Sequence, residues 1–154
     1  MDNIRLRKAS NSDKAVAVAF YNSIDQEEPV QLKREEKIAK AILDETCFII
    51  LTVNKAIGFV IFDYRFFDQG WIELIIIDKA CRGQGIGGKV FDLIGEQCQA
   101  KKLFTSTNRS NTPMQKALSK AGFSFAGQLM GLDEGDPELF YYRLIMEENQ
   151  PLEK

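Results

Sequence analysis

Residues 72–89 read Ile72-Glu73-Leu74-Ile75-Ile76-Ile77-Asp78-Lys79-Ala80-Cys81-Arg82-Gly83-Gln84-Gly85-Ile86-Gly87-Gly88-Lys89. A strongly apolar strand runs into a turn dense in glycine, and the turn opens a helix. Glycine lets the backbone adopt positive φ and approach a ligand closely, while the first turn of a helix points unpaired N–H groups and the positive end of the helix dipole outward. The junction therefore predicts an anion site, for which phosphate is the natural ligand.

Two phosphate-binding motifs fit this turn incompletely. Gly83, Gly85 and Gly88 satisfy G-x-G-x-x-G, but a dinucleotide site also expects an acidic residue about 20 positions later, at the end of the next strand. That predicted strand ends in Ser106-Thr107-Asn108, which contains no acid. The stretch from Gly83 to Lys89 also approaches the nucleoside triphosphatase motif, yet Val90 stands where a hydroxyl would hold magnesium. Both alternatives are therefore disfavoured.

A third pattern matches fully. Arg82-Gly83-Gln84-Gly85-Ile86-Gly87 after an apolar strand resembles the acetyl-coenzyme A motif of the GCN5-related N-acetyltransferases, R/Q-x-x-G-x-G/A. Asn108 to Asn111 at the end of the next strand, a helix over residues 113–120 and Gly122-Phe123 follow in the family's order. The resemblance covers nearly the whole chain. It implies an α/β (α+β) fold with a mixed, mostly antiparallel sheet of about six to seven strands and helices on both faces.

The resemblance also implies how acetyl-coenzyme A, as cosubstrate, would be held. Its pyrophosphate would lie on the main chain of the glycine turn, the Ile77 main chain would pair with the pantetheine arm, and the Ile75 N–H would face the thioester oxygen. The residues implied in cofactor binding are Ile77, Arg82, Gly83, Gln84, Gly85, Ile86, Gly87, Gly88, Lys89 and Asn111. No metal is expected.

Glu73 is the one carboxylate inside this apolar strand, and the alternation of a strand places it on the same face as Ile75 and Ile77. A primary alkylamine has an unperturbed pKa near 10.4, so at neutral pH it must lose a proton before it attacks a thioester. We therefore expect Glu73 to be the general base. The alternative is a carboxylate at the sheet margin that faces solvent or pairs with a lysine.

The general acid cannot be read from the sequence. In the family a tyrosine four residues before the glycine of Gly-Phe often protonates the leaving thiolate, and here that position is Leu118. Tyr141 and Tyr142 are the remaining candidates, although tyrosines on a last strand usually serve packing. Because a free thiol has a pKa near 8.5, the thiolate can also leave unassisted and be protonated by water, which is the preferred interpretation.

Two functions remain in competition. The first is an acetyltransferase that acts on a small-molecule or protein amine, and the second is a catalytically inactive sensor or subunit that binds acetyl-coenzyme A. Glu73 favours the enzyme, whereas Leu118, which cannot act as the family's usual general acid, leaves the sensor as an alternative. The acidic loop Asp133-Glu134-Gly135-Asp136-Pro137-Glu138 either attracts a cationic acceptor or serves only as a turn, and the turn is preferred.

Composition bounds the remaining classes. The 154 residues predict one domain, residues 1–154, and the net charge of −2 disfavours nucleic acid as a partner. The start of the chain lacks the apolar stretch of a signal peptide, and no run suits a membrane span, so the protein is expected to be cytoplasmic. No histidine is present, which excludes histidine bases. Cys47, Cys81 and Cys98 are expected to be free and mostly buried.

Periodicity and turn signals predict the elements. Strands are expected at residues 4–8, 47–53, 57–65, 70–77, 103–107, 123–131 and 139–146, with a parallel crossover between 70–77 and 103–107. Helices are expected after the capping box of Ser10 and Asp13, at 32–43, after the glycine turn and at 113–120. The first is expected to have Val16, Phe20 and Ile24 on its apolar face, and the last to be capped by Asn111 or Thr112 and to end at Gly122. The charged run at residues 33–37 is expected to be solvated. The aromatic residues Tyr64, Phe66, Phe67 and Trp71 have three open roles: a homodimer contact, the acceptor groove or core packing.

Overall fold

The structure, a computed structural model, describes residues 3–24, 31–53 and 55–146. The strands within these residues are β1 (Ile4–Lys8), β2 (Cys47–Thr52), β3 (Lys55–Phe66), β4 (Gln69–Ile77), β5 (Lys102–Asn108), β6 (Ser124–Leu129) and β7 (Glu138–Leu144). The α-helices are α1 (Lys14–Asn22), α2 (Gln31–Leu43), α3 (Ile86–Gln97) and α4 (Thr112–Lys120). Each predicted element is present, and the expected fold class is confirmed.

The strands form one mixed sheet in the order β1-β2-β3-β4-β5-β7-β6. β1 with β2, β2 with β3, β5 with β7 and β6 with β7 are antiparallel. β4 and β5 are parallel, with Trp71 opposite Phe104. The predicted parallel crossover is therefore the β4-α3-β5 unit, which brings the glycine turn to the end of a central strand.

The chain divides into two compact units. The first comprises Met1–Phe62 and Leu74–Val90, and the second comprises Asp63–Glu73 and Phe91–Lys154. The expectation that residues 1–154 fold as a single domain stays a prediction.

The core of the first unit lies between one face of its strands and the helices α1 and α2. It comprises Ala9, Ala17, Ile38, Ala41, Ile42, Cys47, Ile49, Leu51, Phe59, Ile61 and Ile76. Ile38 and Ile42 are buried as the helical period of α2 predicts, whereas the side chain of Leu32 lies outside the described residues. Val16, expected on the apolar face of α1, is 37% exposed, and the neighbouring Ala17 takes the fully buried position instead.

One residue of the charged run in α2 contradicts the sequence prediction. Arg34 is only 6% exposed, and its guanidinium donates to the Tyr21 carbonyl oxygen at 3.1 Å and to Asn22 Oδ1 at 3.2 Å. The guanidinium carbon also lies 4.7 Å from the centroid of the Tyr21 ring. Arg34 therefore joins α2 to the end of α1, while Lys33 beside it is exposed.

The β2–β3 connection is also shorter than predicted. Thr52 pairs with Lys55, so β3 begins at Lys55 and not at the predicted residue 57. Val53 adopts φ 47°, which a β-branched residue rarely does, and Asn54 lies outside the described residues. The preference of valine for strands explains why Val53 was expected to extend β2.

Gly58 on β3 lies where two backbones come close together. A Cβ atom at this position would collide with the main-chain carbonyl oxygen of Ile76 on β4. Since that neighbour is backbone and not a flexible side chain, only glycine fits here.

In the second unit, α4 ends in a Schellman motif. Gly122 adopts φ 86°, the Phe123 N–H donates to the Leu118 carbonyl oxygen at 3.0 Å and the Gly122 N–H donates to Ser119 at 3.1 Å. Leu118 and Phe123 are both buried, and Phe123 packs on Phe91 of α3 at 5.3 Å between ring centroids. The predicted helix end at Gly122 is confirmed.

Within residues 3–24, 31–53 and 55–146, no helix combines the length and apolar character that a membrane crossing requires.

Candidate functional site

The glycine turn begins where β4 ends. The Asp78 N–H donates to the Ile57 carbonyl oxygen at 2.8 Å, which holds the end of β4 against β3. The Asp78 carboxylate then accepts the Ala80 N–H at 3.4 Å and begins a single 3-10 turn, Lys79–Cys81. Local capping chemistry thus positions the loop that follows.

Gly83 and Gly85 both adopt φ 77°, the left-handed conformation that favours glycine. A Cβ atom built on either residue would meet nothing within 4 Å, so the glycines are required by backbone conformation and leave open space in front of the loop. The Lys89 N–H donates to the Gly85 carbonyl oxygen at 3.3 Å and closes the first turn of α3. The N–H groups before Lys89 have no partner four residues back in the helix, as expected for an anion site.

Two polar side chains of the loop contact main-chain carbonyl groups. Arg82 Nε donates to the Ile77 carbonyl oxygen at 3.0 Å, and Gln84 Nε2 lies 3.5 Å from the Ala80 carbonyl oxygen. Arg82, Gln84 and Lys89 are all exposed. Two cationic side chains, Arg82 and Lys89, therefore belong to the same segment as the main-chain donors. The Ile77 carbonyl already accepts a hydrogen bond from Arg82. The pairing of Ile77 with the pantetheine arm stays a prediction.

Glu73 and Ile75 lie two residues apart on β4. The side chain of Glu73 is exposed, and Ile75 and Ile77 are partly exposed. On the other face, Ile72 and Ile76 are buried and Leu74 is partly buried against the core of the first unit, so the expected alternation is present except that Leu74 is less buried than its neighbours on that face. The role of Glu73 as general base stays a prediction.

A second carboxylate near Glu73 escaped the sequence reasoning. Asp63 on β3 is only 6% exposed, and its Oδ1 accepts the Arg65 N–H at 3.0 Å. Burial raises the pKa of Asp63 above its usual value, opposed by the Arg65 contacts, with the Glu73 charge a further raising influence. The only sequence signal was an acid among the branched and aromatic residues of β3.

The positions discussed for the general acid lie in the second unit. Leu118 is fully buried in α4. Tyr141 is buried, with its ring edge-on to Phe125 at 5.8 Å, and Tyr142 packs on Phe104 at 5.7 Å. Both tyrosines thus have the packing contacts that the alternative interpretation predicts.

Asn111, implied in cofactor binding, is the N-cap of α4. Its Oδ1 accepts the Met114 N–H at 3.2 Å, as the capping prediction required. Pro113 is the second residue of α4, because the helix begins at Thr112, one residue before the predicted start.

The acidic loop before β7 is tied to the residues that precede α4. Asp133 accepts the Asn108 amide at 2.9 Å. Asp136 accepts the Ser110 N–H at 2.9 Å and the Ser110 hydroxyl at 2.6 Å, and these bonds lower the pKa of Asp136. These contacts favour the turn interpretation over attraction of an acceptor.

Aromatic side chains form a layer on one face of the strands in the second unit. We call this layer the aromatic surface; its members are Phe66, Phe67, Trp71, Phe104, Phe140 and Tyr142. Phe66, Trp71 and Phe140 are nearly parallel, with interplanar angles of 15–21° and ring centroids 4.7–6.0 Å apart. Tyr64, predicted with this group, instead accepts the Gln99 N–H at 3.1 Å.

The three cysteines are free and buried, as predicted. No group of three or more cysteine, aspartate or glutamate side chains in the described part of the chain is arranged to hold a metal ion.

Comparison with known proteins gives a consistent result. A family model described as acetyltransferase (GNAT) family matches residues 14–123. A GNAT-family acetyltransferase from Bacillus cereus ATCC 10987 is 30% identical, with 94% of this chain and 99% of that chain covered and a TM-score of 0.83. No curated protein matches the chain.

More distant structures share the fold. An N-acetyltransferase from Staphylococcus aureus Mu50 is 19% identical, with 94% of this chain and 100% of that chain covered and a TM-score of 0.71. The structure of yncA from Salmonella typhimurium, with its cofactor acetyl-CoA, is also 19% identical, covers 99% of this chain and 100% of that chain, and has a TM-score of 0.71.

Proposed function

The chain belongs to the GNAT family of acetyltransferases, and from this premise we propose that it transfers the acetyl group of acetyl-coenzyme A to the nitrogen of an amine acceptor. In the reaction, a bond forms between the amine nitrogen and the acetyl carbonyl carbon, and the carbon–sulfur bond breaks. The amine loses a proton, and coenzyme A leaves as a thiolate.

The observation that carries the proposal is the glycine turn. Gly83 and Gly85 hold the backbone at positive φ with open space before it, and the start of α3 supplies main-chain donors. This arrangement suits a pyrophosphate, with Arg82 and Lys89 as neighbouring cations. Acetyl-coenzyme A bound there supplies an activated acetyl thioester.

Glu73 is proposed to take the proton of the attacking amine, directly or through one water. It lies on the same strand and by alternation on the same face as Ile75, whose N–H is proposed to stabilise the thioester oxygen as negative charge develops.

We propose that water protonates the departing thiolate, because Leu118 is a buried aliphatic side chain and cannot donate a proton. The same residue supports the alternative function, a sensor that binds acetyl-coenzyme A without turnover. Thiol release measured with a panel of amines separates the two, since a sensor binds the cosubstrate but releases no thiol when amine is added.

Cofactor binding is tested by two alanine variants. Gly85→Ala places a side chain at φ 77°, which destabilises that conformation by about 1 kcal/mol and disturbs the donors, so affinity for acetyl-coenzyme A is expected to fall about tenfold or more. Gly127→Ala is the control, because Gly127 lies in β6, outside the glycine turn, with open space around its Cβ. Calorimetry gives both affinities. Absence of binding heat with the unsubstituted protein contradicts the proposal.

The general base is tested with Glu73→Gln, which keeps shape and removes the proton acceptor. We expect amine-dependent thiol release at neutral pH to fall by about 10²- to 10⁴-fold and to recover partly as pH approaches the pKa of the amine itself. Glu96→Gln, an exposed change on α3, is the matched control. Full turnover of Glu73→Gln across the pH range contradicts the role.

A further inference from the structure

The aromatic surface has a polar end, and strand direction shows which end it is. Glu73 follows Trp71 by two residues on β4, and Glu138 precedes Phe140 by two residues on β7, distances of about 7 Å along each strand. β4 is parallel and β7 antiparallel to β5, so both carboxylates are displaced from the rings in the same direction. Acidic side chains thus follow the rings along one face.

The opposite end of this surface carries a positive charge. Lys102 Nζ lies 5.4 Å from the centroid of the Tyr142 ring, next to Phe104 on the same face. A cationic ligand is therefore repelled from that end and attracted towards the end with Glu138. The Glu138 carboxylate is held in place by the Ser106 hydroxyl, which donates to Oε2 at 2.6 Å.

Phe67 is the most exposed member of the aromatic surface. It is 82% exposed and adopts φ 53°, followed by Asp68 at φ 62°, in the two-residue connection between β3 and β4. A two-residue hairpin turn of this kind requires positive φ at both residues, so the turn accounts for the backbone conformation. The Phe67 ring meets Phe66 edge-on at 4.9 Å and so extends the aromatic surface into solvent.

We propose that the aromatic surface binds the body of the acceptor, and that the acceptor is an arylalkylamine, a flat aromatic ring joined to a primary amine by a short alkyl linker. This inference rests on the proposed acetyl transfer. The ring lies against Phe66, Phe67 and Phe140, and the ammonium group is directed to Glu138 before it gives up its proton at Glu73. Stacking selects against purely aliphatic amines, and charge selects against neutral aromatic compounds.

Trp71 permits a direct test, because it is the single tryptophan of the chain and belongs to the surface. Its fluorescence is titrated, without acetyl-coenzyme A, with 2-phenylethylamine, n-butylamine and 2-phenylethanol. These probes carry ring and charge, charge alone and ring alone. We expect a saturable change with 2-phenylethylamine and at least tenfold weaker binding of the other two.

Two variants separate recognition of the ring from recognition of the charge. Phe67→Ala is expected to weaken both aromatic probes, whereas Phe125→Ala, which removes another exposed ring of the same unit, leaves them unchanged. Glu138→Gln keeps an acceptor for Ser106 and is expected to weaken 2-phenylethylamine about tenfold without changing 2-phenylethanol. A role confined to structure would change both probes equally.

Three outcomes overturn the inference. The first is equal affinity for n-butylamine and 2-phenylethylamine, and the second is the absence of a Trp71 response to any aromatic probe. The third is Trp71 emission that changes with protein concentration in parallel with dimer formation measured by sedimentation. That third result would assign the aromatic surface to contact with a second copy of the chain. Thiol release with n-butylamine but without preference for the aromatic amine contradicts the inference and still supports acetyl transfer. Binding of 2-phenylethylamine without any thiol release supports recognition by the aromatic surface but contradicts acetyl transfer.

Discussion

The carboxylate of Asp13 shows how one residue links the start of α1 to the first strand. It accepts two hydrogen bonds from Arg7, at 2.8 and 3.1 Å, and the Ser10 N–H at 2.8 Å. The side chain is 12% exposed. The Arg7 hydrogen bonds, helped by Ser10 and the Arg7 charge, lower the pKa of Asp13 from 3.8 to about 2 against the cost of burial.

Asp13 is therefore expected to stabilise the fold in a defined pH range. A carboxylate whose pKa is lowered by folding contributes fully above its unfolded pKa of 3.8, and the contribution is lost as pH falls towards about 2. Asp13→Asn should lower the free energy of unfolding by about 2 kcal/mol at pH 7 and by much less at pH 2. Urea unfolding across this range measures both values.

The control for this experiment is Asp92→Asn. Asp92 pairs with Arg143 at 2.7 Å, but its side chain is 62% exposed, so the loss should stay below about 1 kcal/mol. A constant difference between Asp13→Asn and the unsubstituted protein from pH 7 to pH 2 contradicts the assignment of the stabilisation to the ionised carboxylate.

Residues whose roles depend on local backbone chemistry could be predicted from the sequence. The reciprocal spacing of Ser10 and Asp13, the cap at Asn111 and the glycine at position 122 each act within a few residues of themselves. Asp63 could not be recognised, because its burial depends on strands distant in the sequence. The cofactor and catalytic roles of the glycine turn and Glu73 stay predictions.

At the scale of the elements, Arg34 is the contact that joins α1 and α2. Arg34→Met keeps a long, flexible side chain but removes the donors to Tyr21 and Asn22. We therefore expect a loss of about 1–3 kcal/mol in the free energy of unfolding. Lys33→Met, at the exposed neighbouring position, should change stability by no more than about 0.5 kcal/mol. Equal effects of the two substitutions would show that the α1–α2 contact has little influence on stability.

Element boundaries were readable where glycine, proline or a cap marks them, and less so elsewhere. The two-residue connections at Val53 and at Phe67-Asp68 place bulky residues at positive φ, against their intrinsic preference. Tertiary contacts in the sheet override that preference, and the sequence carries no sign of it. The prediction that the charged run of α2 is fully solvated was wrong at Arg34 for the same reason, since contacts with α1 bury that side chain.

At the scale of the whole molecule, the buried thiols offer a test of the proposed single domain. Cys47 lies in the first compact unit and Cys98 in the second, with exposures of 0% and 5%. Burial, followed by the Asp13 charge, raises the pKa of Cys47 to about 12, and burial raises the pKa of Cys98. Neither thiol is expected to react with a disulfide reagent while the protein is folded.

Two variants that each retain one of these cysteines, with the other thiols replaced by alanine, report on the units separately. If residues 1–154 unfold cooperatively, both thiols become reactive at the same urea concentration, with equal opening free energies. Distinct midpoints would show that the units open independently. Labelling in full denaturant checks that both thiols are competent to react.

Gly58 has a consequence for alignment. Sliding β3 by one residue along β4 would bring Ile57 or Phe59 to the point where even a methyl group strikes the Ile76 carbonyl. A one-residue slip would therefore require the two backbones to move apart, so the one residue of β3 without a side chain favours the alignment in which every other residue meets its observed neighbour.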